Sequence, residues 1–301
     1  MKYRRLGKTG LQVSVIGVGA WQFGGEWGID FTPAEVEAIL RAAGDAGINL
    51  IDTAECYGDH LSERLIGAAI KGQRDRWVIA TKFGHKFHDK FERTDHWSPE
   101  EVRQQLEDSL RALETDYIDV YQAHGDRDAH ATYNDRLWTM LEAQVQAGKI
   151  RHLGISISDN RNAASVANAP LFNVQTIQVV YNRLDRNPET VIFPACRAQD
   201  LGVLARVPLA SGLLSGKYRP GATFTETDDV RSRRSPEEIQ QQLAEVERIK
   251  AEEVPAGVEM AQWALAWCLR HPAVTAVIPG VKSAQQAQIN AQAADLIELG
   301  S

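Results

Sequence analysis

The sequence predicts an α/β fold: a (β/α)8, or TIM, barrel with an N-terminal β-hairpin cap, forming one domain over residues 1–301. Three observations favour this fold. Short apolar runs alternate with segments of helical spacing, the alternation occurs eight times, and barrels of this kind commonly occupy about 250 residues or more as a single unit. No linker divides the chain, and a doubly wound open sheet is the alternative.

The strands are predicted from apolar runs without polar alternation, which is the pattern of parallel strands buried on both faces. They cover residues 13–18, 49–52, 77–82, 117–122, 152–156, 176–181, 202–207 and 275–279. Ahead of them, the polar segment 3–12 has turn residues at 7–10 and predicts the hairpin.

The helices are predicted from apolar residues at helical spacing between these runs. They cover residues 33–46, 63–70, 99–113, 136–147, 189–199 and 259–269. Thr32 and Ser98 are well placed to cap two of them. A further charged helix over 235–253 is predicted as a surface insertion, and the polar segment 223–234 as a mobile loop.

Charge and cysteine content disfavour several classes of protein. The net charge of −7 argues against an extended surface for nucleic acid or anionic membrane. Cys56, Cys196 and Cys268 are irregularly spaced, which predicts reduced, buried thiols rather than disulfides or paired zinc ligands. We expect a cytoplasmic protein, because no apolar signal segment follows the N-terminus and no stretch is long enough to span a membrane.

Four polar side chains fall at or just after the carboxyl ends of consecutive predicted strands, where a barrel collects its functional groups. They are Asp52, Tyr57, Lys82 and His124. Pairing would neutralise the buried charges of Asp52 and Lys82. We expect the ammonium group to lower the pKa of Tyr57 towards neutrality, which makes the phenol a usable acid, and His124 to hydrogen-bond the same substrate oxygen.

The same residues carry a resemblance to the aldo-keto reductase family. The sequence has DTAECYG at 52–58, ATKFG at 80–84 and YQAH at 121–124, and the similarity extends from LGKTG at 6–10 to IPG at 278–280. This resemblance implies reduction of aldehydes or ketones to alcohols by hydride transfer from NADPH, with NADH possible as the donor. It makes Asp52, Tyr57, Lys82 and His124 the catalytic tetrad and requires no metal.

The resemblance also implies a set of cofactor contacts at the mouth of the barrel. They are Gly19, Trp21, Asp52, Ser156, Gln178, Arg206, Pro208, Leu209, Ser211, Gly212, Leu213, Ser215, Lys217, Gly280, Lys282, Gln286 and Asn290. Within this set Ser156 and Gln178 hold the nicotinamide carboxamide, and Lys282 favours NADPH because its charge suits a 2′-phosphate. The expected substrate contacts are Trp21, Tyr57, Phe83 and His124.

Two positions depart from the pattern of the family. Ile157 replaces the asparagine that usually follows Ser156, so one amide contact must be lost or supplied by a neighbour. Arg206 replaces the aromatic residue that usually stacks on the nicotinamide, although a guanidinium can also stack on a flat ring.

Several alternatives stay open at this point. The tetrad can run in reverse and oxidise a sugar or secondary alcohol, and the family also includes non-catalytic subunits that bind NADPH. The third loop, with His85, His88, His96, Asp89 and Asp95, could bind a metal, but its spacing gives little support. We expect a small carbonyl compound as the substrate, and neither nucleic acid nor membrane as a partner. The oligomeric state cannot be read from the sequence.

Overall fold

The computed structural model describes residues 1–126, 134–161, 163–227 and 229–298. In chain order its strands are β1 (Tyr3–Arg5), β2 (Gln12–Ser14), β3 (Val18–Gly19), β4 (Leu50–Asp52), β5 (Val78–Phe83), β6 (His85–Asp89), β7 (Glu92–Asp95), β8 (Ile118–Ala123), β9 (Ile150–Ser156), β10 (Val174–Val180), β11 (Gly202–Arg206) and β12 (Ala276–Val277). Eight of them pair in parallel in the order β3, β4, β5, β8, β9, β10, β11, β12. Parallel bridges Ile16–Val277 and Gly19–Gly280 join the first and last strands. The prediction of a (β/α)8 barrel is confirmed.

The N-terminal hairpin closes one end of the barrel. Strands β1 and β2 pair in antiparallel fashion, with Tyr3 opposite Ser14. Leu6 is fully buried and joins the apolar cluster formed by barrel residues such as Leu50 and Leu204. Gly202 leaves room for it, because a Cβ there would come within 2.6 Å of the Leu6 side chain. The predicted hairpin cap is confirmed.

The first predicted strand, 13–18, proves to be two strands. Its start belongs to β2 in the hairpin and its end to β3 in the barrel. Between them the Ser14 hydroxyl donates to the Ile16 carbonyl at 2.6 Å, and the Ser14 backbone N–H donates to Asn49 Oδ1 at 2.7 Å. These bonds fix a bend in a run that reads as continuous because both parts are apolar.

The helices lie outside the strands. In chain order they are α1 (Pro33–Asp45), α2 (Leu61–Ala69), α3 (Pro99–Ala112), α4 (Asp135–Gln146), α5 (Ala164–Asn168), α6 (Ile192–Ala198), α7 (Pro236–Glu252), α8 (Met260–Arg270) and α9 (Ala284–Gln292). The predicted caps Thr32 and Ser98 each form a capping box with a glutamate at the third helical position. The largest buried apolar cluster contains residues from both the strands and the helices.

Two features differ from the expectations for surface segments. The inserted helix α7 is present as predicted, but it buries Ile239, Leu243, Val246 and Ile249 against Leu214 and its neighbours. A second hairpin, formed by β6 and β7 in the third loop, was not predicted. Within the part of the chain that the structure describes, every helix is too short or too polar to cross a membrane.

Candidate active site

The charged pair at the barrel mouth is formed by Asp52, the last residue of β4, and Lys82 in β5. Lys82 Nζ donates to Asp52 Oδ1 and to the Thr53 carbonyl, both at 2.7 Å. The other carboxylate oxygen, Oδ2, accepts from Gln178 Nε2 at 2.6 Å and from Gln122 Nε2 at 3.3 Å. Both charged side chains are buried, and they are tolerated because each is paired and hydrogen-bonded.

The network keeps Lys82 charged. Burial by itself lowers the pKa of Lys82, but the Asp52 carboxylate and the Tyr57 hydroxyl outweigh this effect and raise the pKa above its usual range. Lys82 therefore supplies a positive charge next to the Tyr57 hydroxyl.

Tyr57 lies in the loop after β4 and contacts this charge. Lys82 Nζ donates to Tyr57 Oη at 3.3 Å. Burial raises the pKa of Tyr57 to about 12, although Lys82 lowers it as expected. The prediction that the pKa of Tyr57 shifts towards neutrality was therefore wrong. Tyr57 is only 9% exposed, and burial destabilises its phenolate by more free energy than the Lys82 ammonium group provides.

His124 follows β8 and faces Tyr57 edge-on, with the two ring centroids 5.9 Å apart. Its backbone N–H donates to the Phe83 carbonyl at 2.8 Å. Its Nδ1 lies 3.4 Å from Cys56 Sγ and 3.9 Å from Glu55 Oε2. Burial lowers the pKa of His124 to about 3, so the imidazole is neutral across the physiological range.

A cavity of about 700 Å³ opens at this end of the barrel. Asp52, Tyr57 and His124 line it, whereas Lys82 is fully buried beneath them. Most of the predicted cofactor contacts also line this cavity: Gly19, Trp21, Ser156, Gln178, Arg206, Pro208, Leu209, Ser211, Gly212, Ser215, Lys217, Gly280, Lys282 and Gln286. The structure thus brings residues from all eight barrel strands or their loops to one cavity.

Besides Lys82, three residues predicted for the site do not line the cavity. Phe83 is fully buried, with its ring centroid 4.8 Å from that of Tyr121 and 5.7 Å from that of Trp97. It supports the barrel wall, so the expected substrate contact is not formed. Leu213 belongs to the apolar cluster under helix α7, and Asn290 is 2% exposed.

The backbone conformation is unusual in the loop that follows β11 at the cavity. Val207 has φ of +55°, and Ser211 and Gly212 have φ of +57° and +89°. A positive φ is costly for a β-branched residue such as valine, and conformations of this kind concentrate at functional sites. The Val207 carbonyl is held by a hydrogen bond from Asn182 Nδ2 at 3.1 Å.

Positive charge concentrates at the cation wall, which is the part of the cavity formed by the loops after β11 and β12. Lys217, Lys282 and Arg231 all line the cavity. Burial, followed by repulsion from Arg231 and Lys217, lowers the pKa of Lys282, while Asp229 acts in the opposite direction. Asp229 also accepts hydrogen bonds from Arg231.

The sequence interpretation missed several wall residues. Arg93 extends from the unpredicted β6–β7 hairpin, donates to buried Glu26 at 2.8 Å, and places its guanidinium carbon 5.9 Å from the centre of the Tyr57 ring. Arg231 falls in the segment predicted as a mobile loop, yet it is 8% exposed and lies 3.9 Å from the centre of the Phe224 ring. The segment 85–95 is largely polar, so it carried no apolar pattern that predicts the hairpin, and neither arginine carried a signal of its own.

The side chains that are close enough together to bind a metal are not the histidines of the third loop. In the described ranges, the one group of three ligand atoms within 4.8 Å of one another consists of Glu55, Cys56 and His124. His85 Nδ1 lies 3.4 Å from Asp95 Oδ1, but that pair has no third ligand in such a group.

Comparisons with known proteins agree on one family. The sequence model described as "Aldo/keto reductase family" matches residues 15–301. The aldo-keto reductase YhdN of Bacillus subtilis (strain 168) is 38% identical over 236 residues, which are 77% of this chain and 69% of that protein. The holo form of aldo-keto reductase AKR11C1 from Bacillus halodurans has a TM-score of 0.82 and 31% identity, covering 98% of this chain and 91% of its own. The glycerol dehydrogenase AKR11B4 from Gluconobacter oxydans has a TM-score of 0.81 and 29% identity, covering 94% and 87%.

Proposed function

The chain belongs to the aldo/keto reductase family and is an oxidoreductase of carbonyl and alcohol groups, and we propose that it is an NADPH-dependent reductase with Tyr57 as proton donor. Its substrates in this proposal are aldehydes or ketones. The observation that carries the proposal is the contact of Lys82 with both Asp52 and Tyr57 beneath the cavity, because it gives a cavity-lining phenol a charged partner.

The residues present fit a nicotinamide dinucleotide. A cavity of about 700 Å³ lies within the usual range for ligand sites, and its crowded cations are the arrangement that phosphate groups neutralise. We assign the nicotinamide carboxamide to Ser156 and Gln178, whose side chains are 3.4 Å apart, and the phosphates to Lys217 and Lys282. When bound, the reduced cofactor supplies the hydride that the carbonyl carbon accepts.

Tyr57 performs the proton transfer in this scheme. With a pKa of about 12 it holds its proton at neutral pH, and Oη donates that proton to the carbonyl oxygen as charge develops there. The phenolate that remains lies 3.3 Å from the Lys82 ammonium group, which stabilises it. Asp52 holds Lys82 in place and balances its charge.

His124 orients the substrate in the same scheme. Because Nδ1 faces Cys56 and Glu55, we assign Nε2 as the nitrogen that donates a hydrogen bond to the carbonyl oxygen. A neutral imidazole suits this role, since it adds a donor without adding a second positive charge beside Lys82.

The pocket for the rest of the substrate combines aromatic and polar side chains. Trp21, Trp27 and Trp97 line the cavity together with Arg93 and His85. Apolar surface with a few polar groups is typical of small-molecule sites. We therefore expect small carbonyl compounds that bear an aromatic or aliphatic group.

The preference for NADPH rests on the three cations at the cation wall, in the loops after β11 and β12. Lys282 is the proposed partner of the 2′-phosphate, with Lys217 and Arg231 adding to the positive potential. Lys282 Nζ lies 5.0 Å from the centre of the Trp27 ring, a position from which it can also contact an anion in the cavity.

The reverse reaction is the second candidate, because one of the similar structures is a glycerol dehydrogenase. In that direction Tyr57 acts as the base, which its raised pKa disfavours at neutral pH. We therefore prefer reduction.

The decisive experiment measures turnover by the full chain with NADPH and NADH against aldehydes, ketones and aldoses, and with NADP+ and NAD+ against glycerol and secondary alcohols. We expect the highest kcat/KM for a carbonyl compound with NADPH. Faster oxidation of an alcohol at neutral pH would contradict the proposed direction. Tight binding of NADPH without turnover of any compound would instead indicate a non-catalytic, cofactor-binding subunit.

A further inference from the structure

Three side chains with metal-binding chemistry meet beside the proposed catalytic groups. The ligand atoms of Glu55, Cys56 and His124 all lie within 4.8 Å of one another. His124 Nδ1 is 3.4 Å from Cys56 Sγ and 3.9 Å from Glu55 Oε2. No step of the proposed reduction uses Glu55 or Cys56.

These distances are close to the edges of a zinc coordination tetrahedron. Zinc–sulfur bonds of about 2.3 Å and zinc–nitrogen or zinc–oxygen bonds of about 2.0–2.2 Å place neighbouring ligand atoms roughly 3.3–3.6 Å apart. The contact of His124 with Cys56 already has that length, and the contact with Glu55 exceeds it by a few tenths of an ångström. The Glu55 and Cys56 ligand atoms lie within 4.8 Å of each other, so side-chain rotation has to bring this third pair to tetrahedral distance.

A second observation is that, in the part of the chain that the structure describes, one buried carboxylate oxygen of Glu55 has no hydrogen bond. Glu55 is 3% exposed, and its Oε1 accepts from the His85 backbone N–H at 3.0 Å. Its Oε2 is buried and has no hydrogen-bond partner within the described residues. A buried carboxylate oxygen without a partner costs free energy, and a cation between Glu55 and His124 would remove that cost.

The combination of ligands selects the type of ion. Thiolate and imidazole favour zinc over magnesium and calcium, which prefer sites built from oxygen ligands. Three protein ligands also leave a fourth position for water, as in open zinc sites.

We propose that Glu55, Cys56 and His124 form a binding site for Zn²⁺ beside the proton donor. On binding, the Cys56 thiol gives its proton to solvent and coordinates as the thiolate. Neutral His124 coordinates through the lone pair of Nδ1 and keeps its proton on Nε2. Burial raises the pKa of the Cys56 thiol, so the ion displaces a proton that is otherwise held at neutral pH.

Zinc in this site should lower turnover. Coordination pulls the His124 ring towards Glu55, away from the position that lets Nε2 reach the substrate oxygen. Because Zn²⁺ binds as the Cys56 thiol loses its proton, it also adds one net positive charge near Lys82. This consequence rests on the proposed function, whereas the binding itself does not.

The test is a titration of the metal-free full chain with Co²⁺, which replaces zinc and reports thiolate ligands by an ultraviolet charge-transfer band. We expect this band in the wild type and its loss on addition of Zn²⁺. Cys56→Ala should abolish the band and weaken Zn²⁺ binding by at least about 100-fold, since loss of groups that merely orient a ligand already costs 10–100-fold. Glu55→Gln should keep the band but weaken binding. Cys196→Ala, which removes another buried thiol, should bind as the wild type does.

A wild-type Co²⁺ spectrum without the thiolate band would overturn the proposal, and so would equal Zn²⁺ affinity in Cys56→Ala and wild type. The wild-type spectrum and Glu55→Gln keep the test decisive if Cys56→Ala is unstable. Binding with the band but with unchanged turnover would support the metal site and contradict the role given to His124 in reduction.

Discussion

Replacing Tyr57 by phenylalanine isolates one oxygen atom of the proposed mechanism. The substitution keeps the ring, which contacts Trp21 and His124 with centroid distances of 6.4 Å and 5.9 Å. It removes only the hydroxyl that accepts from Lys82 at 3.3 Å. Lys82 keeps two shorter bonds, to Asp52 and to the Thr53 carbonyl at 2.7 Å each.

The expected effects on rate and on stability therefore differ greatly. Loss of a general acid typically slows a reaction by about 10²–10⁴-fold, which corresponds to roughly 3–5 kcal/mol on the barrier. Loss of one long hydrogen bond changes the free energy of unfolding by about 0.5–1.5 kcal/mol. Cofactor affinity should stay close to that of the wild type, because the substitution leaves Lys217, Arg231 and Lys282 unchanged.

The assay is steady-state reduction of the best substrate, with cofactor binding followed by fluorescence and unfolding by denaturant. Tyr121→Phe is the matched control, because Tyr121 Oη is buried, has no hydrogen-bond partner in the described part of the chain, and does not line the cavity. We expect near-normal kcat for this control. A Tyr57→Phe enzyme with kcat within a few-fold of wild type would refute the assignment of Tyr57 as the proton donor.

Three further predictions concern the buried ion pair, the pH dependence of the rate and the choice of cofactor. Lys82→Met should lower the free energy of unfolding by about 3–5 kcal/mol, measured by denaturant titration, because it leaves Asp52 buried without its cation; an unchanged midpoint would show that the Lys82–Asp52 pair does not stabilise the fold. The kcat for reduction should not change with pH between pH 5 and 9, since Tyr57 with a pKa of about 12 stays protonated and His124 with a pKa of about 3 stays neutral. A sigmoidal pH–rate profile in that window would contradict these protonation states. Lys282→Ala should raise the KM for NADPH by about tenfold relative to NADH, as expected for loss of a charged hydrogen bond of about 1.5 kcal/mol, and an unchanged ratio of the two KM values would mean that another group holds the 2′-phosphate.

The barrel was predictable because its strands are buried on both faces and therefore read as apolar runs. The prediction failed in two places, for two different reasons. The run at 13–18 combines a hairpin strand with a barrel strand, and only the bonds of Ser14 to Ile16 and Asn49 separate them. The β6–β7 hairpin is polar and mostly exposed, so burial left no mark on its sequence.

The site was predictable in its positions but not in its electrostatics. Strand ends locate Asp52 and Lys82 without any knowledge of side-chain direction, because parallel register brings neighbouring strand ends together. The sign of the Tyr57 shift could not be obtained in this way, since it depends on the balance between one contact at 3.3 Å and nearly complete burial. Arg93 and Glu26, 67 positions apart in sequence, pair only once the hairpin is in place.

Asp52 connects the proposed proton donor to the proposed cofactor contacts. One carboxylate oxygen accepts from Lys82 and the other from Gln178, so both partners are oriented by a single buried charge. With its amide nitrogen engaged in this way, Gln178 has its carbonyl oxygen left to accept hydrogen bonds, and Ser156 donates to that oxygen at 3.4 Å. A carboxamide bound there must therefore present its NH2 group to Gln178. Loss of the Asp52 charge would release Lys82 and Gln178 together, so damage to proton transfer and to nicotinamide orientation cannot be separated at this residue. Substitutions at Tyr57, which contacts Lys82, and at Gln178, which contacts Asp52, would separate the two effects.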